Sequence, residues 1–133
     1  MKKQILLVLF ILGMTLTAFT QTKLEYQNGL TEAVAKYFAL YYDLNPTKGF
    51  IDEETGSKIH VVEFSKNYVY NDVRKSVDTI MPTLREMLVS YSNWTIADNY
   101  IYIDYKVTTS NNYVKFSITK NFPNLLFIQT FSI

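Results

Sequence analysis

The sequence predicts an α+β protein, with an antiparallel sheet of four to five strands and two helices packed on one face. Three observations carry this reading. Leu30 to Leu44 has a helical apolar period. Tyr100 to Val107 and Tyr113 to Lys120 alternate with a period of two. The elements run helix, hairpin, helix, then three strands.

In the first helix, Leu30, Ala33, Val34, Tyr37, Phe38, Leu40, Tyr41 and Leu44 share one side, with Glu32, Lys36 and Asp43 opposite. Thr31 sits in the capping region, and Asn45-Pro46 stops the run, because a residue before proline avoids the α region. Phe50 to Phe64 reads as a hairpin around Glu53-Glu54-Thr55-Gly56-Ser57, and Tyr68-Val69-Tyr70 as an extension of its sheet. Val73 to Tyr91 reads as a second helix, with Val73, Val77, Ile80, Met81, Leu84, Met87, Leu88 and Tyr91 on one arc. Pro82 lies opposite that arc, so the expectation is a single bent helix with proline on its convex side.

The remaining residues are strand-like. A two-residue turn at Asn111-Asn112 pairs Thr109 with Val114 and Val107 with Phe116. Odd positions then meet even ones, which puts Ile101, Ile103, Val114 and Phe116 on one face. A four-residue turn at Asn121-Phe122-Pro123-Asn124 pairs Lys120 with Leu125. It sends Leu125, Phe127 and Phe131 inward, and Leu126 and Ile128 outward. Trp94-Thr95-Ile96 forms a further short strand, turned at Asp98-Asn99.

Residues 1–20 have the three parts of an export signal. These are Lys2-Lys3, an apolar run from Ile5, and Ala18 and Thr20 at the positions before cleavage. The expectation is a bacterial-type signal peptide over 1–20 and one domain over 21–133, periplasmic or secreted, with no membrane association once the signal is cleaved. An uncleaved anchor is the competing outcome, since spans of about 17 residues exist. The sequence has no cysteine, so the domain must fold without disulfides, and a lipoprotein anchor is excluded. Removing Lys2 and Lys3 leaves eleven basic residues against twelve acidic ones. That balance cannot neutralise a polyphosphate backbone, so nucleic acid is not an expected partner.

No reactive constellation stands out. His60 is the single histidine, set in an apolar strand next to Val61 and Val62, and there is no Gly-x-Ser-x-Gly elbow or thiol nucleophile to join it. One histidine and no cysteine also exclude an ordinary zinc site. Asp52-Glu53-Glu54 lacks the spacing and central glycine of a calcium loop. Asn93-Trp94-Thr95 matches a glycosylation acceptor, idle in a bacterial setting. No catalytic residue, metal ligand or cofactor is therefore predicted.

Aromatic content is the unusual feature: eleven Tyr, nine Phe and one Trp. Tyrosine fills strands and wide helix faces for structural reasons, and it is also favoured in contact sites. The strand parity directs Tyr100, Tyr102 and Tyr113 outward, with Leu126 and Ile128 beside them and Asp104 and Lys106 nearby. Together they outline an outer sheet face for protein binding or self-association. The function expected is that of a non-catalytic binding or protein-interaction module. The alternatives are a small hydrolase or isomerase built on carboxylates and tyrosines, or a periplasmic inhibitor of a partner protein.

Overall fold

The computed structural model describes residues 22–45 and 49–132. The expected signal segment, like Pro46, lies outside the described residues. Within them the chain is α+β, with two helices and an antiparallel sheet. The sheet has seven strands rather than four to five, because several two- and three-residue pieces join it.

The first helix, α1 (Lys23–Tyr41), begins seven positions before the apolar period does. Thr22 caps it, its Oγ1 accepting the Glu25 amide at 3.2 Å. The helix also buries polar groups that a hydrophobic period does not register. Gln27 Nε2 donates to Asn112 Oδ1 at 2.9 Å, and the Thr31 and Thr130 hydroxyls meet at 2.7 Å. The helix stops as Asp43 turns left-handed (φ 55) and the Leu44 amide reaches back to Ala39 O.

The hairpin β1 (Phe50–Ile51) and β2 (Lys58–Glu63) forms around Asp52 to Ser57. Asp52 Oδ1 accepts the Glu54 amide, and Gly56 supplies the positive φ of 75. The acidic run thus makes this turn. Tyr68-Val69-Tyr70 is not an extension of the sheet. Asp72 Oδ2 accepts the Val69 amide, and helix α2 (Tyr70–Ile80) starts there.

The single bent helix is corrected. Helix α2 ends at Ile80, and Met81–Leu84 continues as one 3-10 turn with Pro82 in its first positions, where a missing N–H costs least. Leu88–Ser90 then becomes an edge strand, β3, paired with β5. Leu84 and Leu88 keep the buried positions that the helical arc assigned them, because either path returns them to the same core.

Strands β4 (Thr95–Ile96), β5 (Tyr100–Val107), β6 (Asn112–Thr119) and β7 (Leu125–Ser132) complete the sheet. Its order is β1-β2-β7-β6-β5-β3, with β4 on β5. One core unites Leu30, Val34 and Phe38 of α1 with Val73, Val77 and Ile80 of α2. The inner face of the sheet (Val62, Ile101, Ile103, Val114, Phe116, Ile118, Leu126 and Ile128) closes that core.

The two turns decide the faces. Between β5 and β6 the loop spans 108–111, and Tyr105 faces Val114. Asn112 cannot serve as a turn residue, since its side chain is buried against Gln27. Every partner moves by four residues from the expected register. An even shift preserves parity, so the apolar set stays inward. Between β6 and β7 the loop spans 120–124, and Phe116 faces Ile128. Lys120 is drawn away, its amide donating to Asn99 O and its Nζ to Asp98 O. That one extra residue reverses β7. Leu126 and Ile128 are wholly buried in the core, and Leu125, Phe127 and Phe131 are turned outward and half-buried.

Candidate functional site: the outer face of the sheet

The outer face is built in rows by cross-strand pairing. One row runs Phe50, Ile59, Gln129, Lys115, Asp104. The next runs Val61, Phe127, Ser117, Tyr102, Thr95. On the other side Phe131 faces Tyr113, which faces Lys106. Among the described residues no helix covers these rows, since the apolar faces of α1 and α2 are both used in the core.

An aromatic band crosses the rows. Tyr100 and Tyr102 stack at 5.6 Å, Tyr113 and Phe131 stack at 5.6 Å, and Tyr91 meets Tyr113 edge-on at 4.7 Å. Lys115 joins the two stacks. Its Nζ lies 4.8 Å from the Tyr102 centroid and 5.3 Å from that of Phe131, within cation–π range. Asp104 is its cross-strand neighbour, yet the two make no ion pair within 4 Å. Asp104 Oδ1 is buried without a hydrogen-bond partner. Burial pushes the Asp104 carboxyl up, and the nearby Lys115 charge pulls it part of the way back.

Beside the band is a half-open depression of about 150 Å³, lined by Ile59, Lys115, Ser117, Thr119, Phe127 and Gln129. It lies over β6 and β7, where the small Ser117 and Thr119 of β6 stand beside Phe127 and Gln129 of β7, with Ile59 of β2 beyond them. Gln129 holds its far edge, donating from Nε2 to Ser57 Oγ at 2.6 Å and to Asp52 Oδ2 at 3.0 Å. The bond from Gln129, then that from the Glu54 amide, holds the Asp52 carboxyl below its usual range.

Of the five residues expected on this face, the structure brings Tyr100, Tyr102 and Tyr113 together on it. It places Leu126 and Ile128 on the opposite face, where they are wholly buried. Phe127 and Phe131 occupy the outer positions of β7 instead, and Lys115 holds the centre. Tyr113 is only 8 % exposed, because Tyr91 and Phe131 lie against it. Alternation in β7 could not single out Phe127, since Leu125 to Ile128 is apolar at every position. Tyr91, expected on the arc of the second helix, instead follows β3 and is more than half exposed.

Other chemistry-bearing groups are dispersed. His60 faces inward, buried beneath α1, and Nε2 has no partner. Burial pushes its imidazole down, which favours the neutral form. Among the described residues, no three His, Asp or Glu side chains gather closely enough to hold a metal ion, and no helix is long and apolar enough to cross a membrane. Comparison with family models, with curated proteins and with solved structures gives no match.

Proposed function

We propose that this chain is an exported, non-catalytic binding module whose contact surface is the outer face of its sheet. The aromatic band carries the proposal. Tyr91, Tyr100, Tyr102, Tyr113 and Phe131 share one face with Phe50 and Phe127, over which neither α1 nor α2 packs. Aromatic side chains gathered on one protein surface mark a contact site, and tyrosine concentrates in such sites. The partner is a protein surface, either another molecule or a second copy. The leader-like pattern of residues 1–20 supports export.

The test replaces Tyr102, Phe127 and Phe131 together with Ser. Association of the purified protein, or with proteins of the extracytoplasmic fraction, is then followed by sedimentation and pull-down. It should disappear while the dispersed amide spectrum persists. A triple variant that keeps every association of the parent rejects the surface. If the triple variant unfolds, the three single variants carry the same comparison. Intact mass tests export separately. The exported product should begin near Gln21, and a full-length chain in the membrane fraction refutes cleavage.

A further inference from the structure

We propose that the occupant of the outer face is a second copy of this chain, docked about a twofold axis that runs between β5 and β6. This rests on the reading of that face as a contact surface and names its partner.

The outer positions of the two strands are self-complementary. Along β5 they are Tyr100, Tyr102, Asp104 and Lys106, and their neighbours along β6 are Thr119, Ser117, Lys115 and Tyr113. Each of the first two rows sets a large ring beside a small hydroxyl residue. The surface therefore has a ridge over β5, made of the stacked Tyr100 and Tyr102, and a depression over β6 and β7, in which Ser117 and Thr119 form the side nearer to β5. A twofold axis along the strands lays β5 of each copy on β6 of the other, as an isologous interface requires. The ridge of one copy then enters the depression of its mate from the Ser117 and Thr119 side, twice. The depression measures about 150 Å³, and a cavity of about that size holds one six-membered ring.

The same operation resolves the charges. Within one copy Asp104 and Lys115 are cross-strand neighbours without an ion pair. Across the axis each Asp104 faces the Lys115 of the second copy, so acid meets base at two symmetric places near the centre. In the overlap β5 and β6 each run about 26 Å, and the five residues of β3 and β4 cover only about 16 Å of β7, at ~3.3 Å per residue and ~4.8 Å per strand. That is a flat footprint of roughly 400 Å² per copy, or ~800 Å² in total, the size of a weak, transient contact. A reversible dimer follows, not an obligate one.

Sedimentation velocity of the exported product over a wide concentration range should show monomer and dimer in exchange. Ser117→Tyr fills the depression and should weaken the dimer at least tenfold. Asp104→Lys and Lys115→Asp each set like charges opposite one another and should each weaken it about a hundredfold or more. Mixing these two charge variants should restore association as a heterodimer, because both bases of one then face both acids of the other. Circular dichroism confirms that each variant is folded. A parent chain that stays monomeric at every concentration overturns the proposal. So does a dimer indifferent to Ser117→Tyr, or folded charge variants that do not associate on mixing. A monomer whose capture of another protein is lost with Tyr102, Phe127 and Phe131 would leave the contact surface standing and remove only the second copy. A dimer insensitive to all of these residues would remove both.

Discussion

Strand β7 gives the sharpest test of the fold, because its two faces carry side chains of similar size in opposite environments. Leu126 and Ile128 are wholly buried, between β2 and β6 and under the helices. Leu125 and Phe127 point to the outer face and are half-buried, Phe127 in edge contact with Phe50 at 6.5 Å. Truncating a buried Leu or Ile to Ala removes transfer energy and leaves a cavity, at a cost of about 2–5 kcal/mol. Phe127→Ala gives up part of its area and one ring pair, the latter worth about 0.5–1.5 kcal/mol. With an urea slope of ~1–3 kcal/mol per molar, Leu126→Ala and Ile128→Ala should each lower the unfolding midpoint by roughly 1–3 M. At the same slope Leu125→Ala and Phe127→Ala should each lower it by about half as much or less. Equilibrium unfolding at a concentration where only monomer is present reads this directly. If the larger losses fall on Leu125 and Phe127, the five-residue loop before β7 is wrong, and the outer face has been assigned to the wrong residues.

Three further outcomes are expected. Thr31→Val strands the buried Thr130 hydroxyl and should cost about 1–3 kcal/mol, whereas the double change with Thr130→Val removes both partners and should cost less than the single one; additive losses would mean the pair is not coupled. His60 is held below its ordinary 6.5 by burial, then by Lys58 and Lys36, against an upward pull from Glu32. A group with a depressed pKa in the folded state takes up its proton more readily unfolded, so stability should fall as pH drops below about 6.5, and His60→Leu should flatten that part of the profile; an unchanged slope refutes the assignment. Pro82→Ala should leave the fold intact and cost about 0.4–1 kcal/mol through the freer unfolded chain; near- and far-ultraviolet dichroism that shows a longer helix and a lost edge strand would mean that proline alone ends α2.

Much of the core was legible in the sequence. Periodicity marks Leu30, Val34, Tyr37 and Phe38 on α1 and Val73, Val77 and Ile80 on α2, and all seven are buried. Alternation marks Ile101, Ile103, Val114, Phe116 and Ile118 on the inner face. The inward set is the same for a turn at Asn111-Asn112 and for the loop observed, because the two registers differ by four residues, an even number. The start of α1 was not legible, since Gln27 is buried by a hydrogen bond to Asn112, a residue distant in the chain. Nor was the end of α2, where Leu84 and Leu88 fit a helical arc and a sheet edge equally well.

The sequence by itself determined which segments are amphipathic, the parity of β5 against β6, and hence three tyrosines of the outer face. Each of these is a property of neighbours along the chain or of a single alternating pattern. Only the tertiary structure decided the face of β7, the placement of Lys115 between two rings, and the orphaned oxygen of Asp104. The register of β7 depends on where Lys120 spends its hydrogen bonds, and those partners, Asn99 and Asp98, lie on the turn before β5. A strand that is apolar on both faces carries no period to fix its own register, so a contact remote in sequence fixes it.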